Sequence, residues 1–180
     1  MEVTETKIPG VLLLKPRFFQ DNRGSFYESW RCNSYKEYGL HDDFLQDNIS
    51  LSFKNVLRGL HLQLGDAEQG QILTVVDGEI FDVCVDIRKT SSTFGQYVSF
   101  NLSGDDPCQV YMPPGIAHGY CVLSDRAILH YKCTKYYAPQ QETGILWNDP
   151  QLNIKWPLVN PILSEKDERN ISFQKLVEML

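Results

Sequence analysis

No stretch of this chain is rich in lysine or arginine, and none is apolar for long enough to cross a bilayer. The first absence disfavours nucleic acid and anionic membrane as partners. Both are held by basic stripes, whereas the formal charge here is −6. The second disfavours a transmembrane helix, which needs about 20 consecutive apolar residues. The opening Met1-Glu2-Val3-Thr4-Glu5 lacks the basic-then-apolar pattern of a secretory leader. Cysteine is sparse and odd in number: five residues (Cys32, Cys84, Cys108, Cys121, Cys133) and no C-x-x-C spacing. Such a set argues against a disulfide framework and reads as reduced core thiols in a cytoplasmic protein. Low-complexity segments, internal repeats and linker-like stretches are also missing, so residues 1–180 are read as one domain. A chain of that size buries a core without metal or disulfide staples.

What is present is a series of short apolar or alternating runs punctuated by Gly, Pro, Asn and Asp. Strands are expected at residues 10–16, 24–30, 72–76, 79–86, 97–102, 110–112, 119–123 and 128–134. In the second of these, Phe26, Glu28 and Trp30 share a face. Asp77-Gly78 reads as a hairpin turn, and Ser103-Gly104-Asp105-Asp106 as another turn. Helical signals are confined to residues 33–38 and 172–180, the latter with Phe173, Leu176, Val177 and Leu180 at helical spacing. Many short strands with turns between them indicate an all-β sandwich or barrel.

Strand alternation places Arg58, Leu60 and Leu62 on one face and Gly59, His61 and Gln63 on the other. His61 can therefore face the interior, as can Tyr131 and Cys133 further along. Histidine is the natural base near neutral pH. A phenol opposite it could return a proton to the other face of a carbon beside a carbonyl. The same pair also fits an ordinary core, and the residues alone leave both readings open.

Pro113-Pro114-Gly115-Ile116-Ala117-His118 resembles the P-x-G-x-x-H motif of cupins, which are jelly rolls with a double-stranded β-helix barrel. The companion cupin motif carries H-x-H followed by Glu. Here that stretch is His61-Leu62-Gln63 with Glu68 beyond it. Gln63 is a poor transition-metal ligand, and His61, His118 and Glu68 alone are loosely spaced, so no metal is expected.

A longer resemblance runs from about residue 10 to about residue 170. Asp21-Asn22-Arg23-Gly24-Ser25-Phe26-Tyr27-Glu28 resembles the D-x-R-G-x-F-x-E segment of the dTDP-4-dehydrorhamnose 3,5-epimerase family. Gln46-Asp47-Asn48-Ile49-Ser50 is similar to its Q-D-N-x-S, and residues 56–63 to its V-L-R-G-L-H-x-Q. Residues 78–88 resemble G-E-x-x-D-V-x-V-D-x-R, residues 116–120 F-A-H-G-F, and residues 131–134 Y-K-x-T. Trp147-Asn148-Asp149-Pro150, Trp156-Pro157 and residues 163–167 continue the likeness.

The resemblance implies a homodimeric jelly roll, without cofactor, acting on a nucleotide-diphosphate 4-keto sugar. His61 falls on the general base, Asp167 on the carboxylate paired with it, and Tyr131 on the proton donor of the opposite sugar face. Arg23, Glu28, Gln46, Asn48, Arg58, His118, Glu142 and Lys166 fall on nucleotide- or sugar-binding positions. The family further implies that the N-terminal strand lends Gln46 and Asn48 to a partner's site. One position departs from the family pattern. Gln71 stands where Q-G-K-L-V places a lysine near the ketone oxygen. A neutral donor there raises the alternative of a single-site C3 or C5 epimerase, or of a variant GDP- or CDP-linked sugar. A 3,4-ketoisomerase, a metal-dependent cupin and a non-catalytic sugar-binding cupin are the remaining alternatives.

Overall fold

The computed structural model describes residues 1–41 and 43–180. In chain order the described strands and α-helices are β1 (Glu2–Glu5), β2 (Leu12–Lys15), β3 (Phe18–Asp21), β4 (Gly24–Tyr27), α1 (Cys32–Lys36), β5 (Gln46–Phe53), β6 (Leu57–Gln63), β7 (Gln71–Asp77), β8 (Glu79–Asp86), β9 (Tyr97–Ser103), β10 (Gln109–Met112), β11 (Ile116–Val122), β12 (Arg126–Cys133), β13 (Glu142–Gly144), α2 (Glu165–Glu168) and α3 (Phe173–Met179). One sheet has the order β1-β2-β10-β7-β12-β5 and the other β13-β6-β11-β8-β9. Their facing apolar residues form the main core, with Leu73, Val75, Val110 and Leu129 meeting Ile80, Cys84, Ile116 and Val122. This is the all-β jelly roll expected of the sequence.

Each sheet also needs a cover for its outer face. Phe173 and Leu176 of α3 pack on Leu60, Leu62, Val83 and Val85 of the second sheet. Tyr35 of α1 and Leu40 cover Leu14, Ile72 and Tyr111 of the first. No described helix is long and apolar enough to cross a membrane.

Four expectations need correction. Asp77-Gly78 is not a hairpin turn, because β7 pairs with β10 and β12 while β8 pairs with β11 and β9. The turn instead carries the chain from one sheet to the other. Gly78 has φ +83°, and a Cβ there would lie 2.1 Å from the Arg126 carbonyl oxygen. The turn signal reports that local requirement, not which neighbour the next strand finds. Second, the run at 24–30 stops being strand at Tyr27. It forms a small hairpin with β3 in which Phe26 is 69% exposed, while Trp30 leaves to pack near Tyr35 and Phe44. Third, all five thiols are free, but only Cys84, Cys121 and Cys133 are buried; Cys32 is exposed at the start of α1. Fourth, α2 has only four residues, too few for a periodic signal, and is set by the Ser164 hydroxyl accepting from the Asp167 backbone N–H.

The loop after β8 is tied by Asp86, whose side chain is fully buried. Its carboxylate accepts from Arg88 Nε and Nη2 (both 2.8 Å), Ser91 Oγ (2.6 Å) and Thr93 Oγ1 (2.6 Å). Burial alone would raise the carboxyl, yet these donors outweigh it and hold it at about 2. A depressed carboxyl contributes stability above its unfolded value and loses it as pH falls through the folded value. Asp86→Asn is therefore expected to cost about 2 kcal/mol near pH 7. Urea midpoints of wild type and variant should converge as pH falls from about 4 toward 2. A gap that stays constant would mean that the charge is not its source.

Candidate active site

A cavity of about 410 Å³ opens between the two sheets and is lined from both. On the first sheet, β5 alternates so that Gln46, Asn48 and Ser50 face it. Registry then aligns Asn48, Tyr131 and Leu73 in one row across β5, β12 and β7, and Gln46, Cys133 and Gln71 in the next. On the second sheet, His61 of β6 sits directly opposite His118 of β11. Glu142 of β13 lies across from Gln63.

Arg58 also lines this cavity, although strict alternation puts it on the face opposite His61. The ladder between β6 and β11 runs from His61↔His118 to Arg58↔Tyr120, three residues on one strand against two on the other. That bulge turns Arg58 onto the same side as His61. It requires a close approach of backbones: a Cβ on Gly59 would lie 2.5 Å from Gly119 Cα.

His61 Nε2 lies 2.5 Å from Oδ1 of Asp167, which is buried behind it and does not line the cavity. Ser164 Oγ donates to the other carboxylate oxygen at 2.8 Å. Burial pushes the Asp167 carboxyl up, but bonds from His61, Ser164 and the Gly59 backbone outweigh it and bring it below its usual value. A charged Asp167 orients the ring and leaves Nδ1 as the nitrogen free of the carboxylate. Tyr131 stands on the facing sheet. Burial raises its hydroxyl, with Arg58 pulling in the other direction, so the phenol stays protonated near neutral pH.

A second imidazole–carboxylate pair adjoins the first: His118 Nε2 is 2.6 Å from Oδ1 of the fully buried Asp82. Sequence reasoning missed Asp82. The available signal was a carboxylate at an inward position of an apolar strand, two residues before Cys84. It also missed Ser50, Gln69, Tyr120 and Tyr137, all of which line the cavity.

The Glu142 carboxylate takes an ion pair from Lys166 and a 2.5 Å hydrogen bond from the Tyr137 hydroxyl. Although burial pushes its carboxyl up, these partners pull it below the ordinary value. Lys166 itself lines a shallower neighbouring cleft with Arg169 and Asn170. Gln63 is engaged by backbone, its amide donating to Ala67 and Tyr136 carbonyls and accepting from Ala138 N–H. Among the described residues no group of three or more His, Cys, Asp or Glu is placed to hold a metal ion.

The structure thus brings together His61, Asp167, Tyr131, Gln46, Asn48, Arg58, Gln71, His118 and Glu142, with Lys166 at the edge. It does not bring Arg23 or Glu28 to this cavity. Both lie on or just after the exposed β3–β4 hairpin, paired with Asp21 (2.6 Å) and Arg31 (2.5 Å) respectively. Gln46 and Asn48, expected to serve a partner's site, line the cavity of their own chain, because β5 pairs along its length with β12.

A family model described as dTDP-4-dehydrorhamnose 3,5-epimerase matches residues 5–175. The dTDP-4-dehydrorhamnose 3,5-epimerase of Shigella flexneri is 50% identical, over 99% of this chain and 97% of that protein. The Legionella pneumophila dTDP-6-deoxy-D-glucose-3,5-epimerase, solved in complex with dTDP-4-keto-L-rhamnose, has a TM-score of 0.92 and 46% identity, covering 96% of this chain and 93% of that one. A 3′-monoepimerase from Streptomyces bikiniensis, solved with dTDP-quinovose, has a TM-score of 0.90 and 30% identity, covering 97% of this chain and 89% of that one.

Proposed function

The chain belongs to the dTDP-4-dehydrorhamnose 3,5-epimerase family, and from that premise we propose that its cavity inverts C3 and C5 of dTDP-4-dehydro-6-deoxyglucose through an enolate, without a metal. The observation that carries this reading is the placement of base and acid on facing walls. His61 of β6 belongs to one sheet and Tyr131 of β12 to the other. A proton taken from one side of a carbon can then be replaced from the other, which is what inversion requires.

The C4 ketone acidifies the hydrogens on C3 and C5. His61 Nδ1 takes one, and the Asp167 carboxylate stabilises the imidazolium. The electron pair moves onto the C4 oxygen, where Gln71 offers a neutral donor, about half as strong as a charged one. Tyr131 then protonates the carbon from the opposite wall. Return of its proton from solvent, and loss of one from His61, reset the site for the second carbon. Arg58 and Lys166 hold the diphosphate, where a guanidinium fork suits paired oxyanions. Gln46, Asn48, His118 and Glu142 hold sugar and nucleotide. The free thiols fit a reducing cytoplasm.

Incubation with dTDP-4-dehydro-6-deoxyglucose in D₂O, followed by proton NMR, tests the reading. Deuterium entering at both C3 and C5 is the expected result. Entry at one carbon would support the single-site alternative, which Gln71 raises. No exchange by folded protein would overturn the reading. Gln71→Lys is expected to speed exchange at the slower carbon about tenfold, since a charged donor strengthens the bond to the enolate. An unchanged rate would remove Gln71 from the ketone oxygen.

A homodimer is part of the proposal. The outward residues of β5 reverse the usual pattern of an edge strand: Ile49, Leu51 and Phe53 are 77%, 49% and 63% exposed. An apolar edge strand left bare invites pairing or aggregation. A contact of Arg23 or Glu28 with substrate would then require the hairpin of one protomer to reach its partner's cavity. Ile49→Glu should halve the mass seen in sedimentation velocity; an unchanged mass would place the interface elsewhere.

A further inference from the structure

One wall of the cavity carries a chain of polar groups that joins Arg58 to three hydroxyls, of Ser52, Tyr120 and Ser50, to which the proposed function gives no part. Tyr120 is 5% exposed, its ring in the main core and its hydroxyl between two serines of β5. The oxygen lies 3.1 Å from Ser50 Oγ and 3.3 Å from Ser52 Oγ. Arg58 Nε donates to Ser52 Oγ at 2.9 Å, and its Nη2 reaches the Leu51 carbonyl at 3.4 Å.

The direction of this chain follows from what each group can do. A guanidinium only donates, so Ser52 Oγ must accept from Arg58. Ser52 is 2% exposed, and among the described residues its own hydrogen has one acceptor in reach, the Tyr120 oxygen. Were Tyr120 to donate to Ser52 instead, that buried hydrogen would be left without a partner. The Tyr120 hydrogen therefore goes to Ser50, and the Ser50 hydrogen is the one left over. Ser50 and Arg58 both line the cavity, so the open ends of the chain are two donors: the Ser50 hydroxyl and the Nη1 arm of Arg58.

We propose that Tyr120 is a positioning residue that aims Arg58 and Ser50 as paired donors at one anionic group, the diphosphate of the nucleotide sugar. The proposal rests on the reading that Arg58 binds this diphosphate. Tyr120→Phe keeps the ring and its packing but removes the link between the serines.

The test is calorimetric titration with dTDP, together with steady-state kinetics, on wild type, Tyr120→Phe, Ser52→Ala, the double variant and Arg58→Ala, with melting curves to establish folding. Tyr120→Phe is expected to weaken dTDP binding and raise KM by about three- to tenfold, the worth of one hydrogen bond. Its kcat should stay within about twofold of wild type, because uniform binding is lost rather than transition-state binding. The double variant should lose no more than the worse single variant, since both break the same chain. Unchanged dTDP affinity in folded Tyr120→Phe, a fall in kcat without a rise in KM, or additive losses would each overturn the proposal. If Arg58→Ala weakens dTDP while Tyr120→Phe does not, the positioning role alone fails. If Arg58→Ala also leaves dTDP affinity unchanged, the diphosphate reading fails and takes the proposal with it.

Discussion

His61→Ala is expected to lower kcat by about 10²–10⁴-fold, the range over which a positioned general base acts, while dTDP still binds. Asp167→Asn should approach the same loss for a different reason. Asp167 now accepts from Nε2 of His61, leaving Nδ1 unprotonated for the substrate. An asparagine in its place can turn its amide N–H toward Nε2, which moves the ring hydrogen to Nδ1. The nitrogen that should act as base is then already protonated, and the imidazolium loses its countercharge. An isosteric change of this kind in other His–Asp pairs costs about 10⁴ in kcat. Single-turnover deuterium exchange with dTDP-4-dehydro-6-deoxyglucose reads the loss directly. Exchange at the wild-type rate in His61→Ala would move the base to another residue, with His118 the first to examine because Asp82 supports it in the same way.

Tyr131→Phe is expected to separate two events that occur together in the wild type. His61 can still remove the proton and, after exchange with solvent, return deuterium to the same face. Deuterium should therefore appear in recovered substrate while epimerised product falls by about 10²–10⁴-fold, the range for loss of a positioned acid. NMR of the same sample reports both quantities. Equal loss of wash-in and of product would mean that Tyr131 serves the proton-removal step. Retained product formation would mean that solvent or another phenol delivers the proton. Tyr120 and Tyr137 also line the cavity, and their hydroxyls are engaged by Ser50 and Ser52 and by Glu142 respectively. The raised Tyr131 hydroxyl has a further consequence of sign. As an acid it must be protonated, and burial extends its protonated range upward. The acid limb of activity on the high-pH side should therefore lie above the ordinary phenol value in wild type and vanish in Tyr131→Phe.

Much of this site follows from local pattern. Alternation along a strand is a backbone property, so the inward placement of His61, Tyr131 and Cys133 follows from residue order, whereas the jelly-roll class came from the resemblance of residues 113–118 to a cupin motif. The row of Gln46, Asn48 and Ser50 obeys the same rule. Other assignments depended on which chains of atoms meet. Asp82 and Asp86 sit on one face of one strand and look alike in sequence. The first backs His118, whereas the second ties a loop through Arg88, Ser91 and Thr93. Gln63 reads as a lost metal ligand, but only the neighbouring loops reveal that its amide clamps residues 67, 136 and 138.

Arg58 shows where local pattern gives out. Its residue type and its place three before His61 are plain in the sequence, yet strict alternation sends it to the wrong face. A single extra residue in the ladder against β11, admitted because Gly59 and Gly119 have no side chains to collide, reverses that face. The sequence by itself therefore determined the all-β class and the inward faces of His61 and Tyr131, because these depend on period-two geometry, while the roles of base and acid came from the family resemblance. Only the tertiary structure decided that Asp82 backs His118, and on which side of β6 Arg58 lies. Those outcomes depend on registry between strands far apart in the chain, which no local pattern encodes.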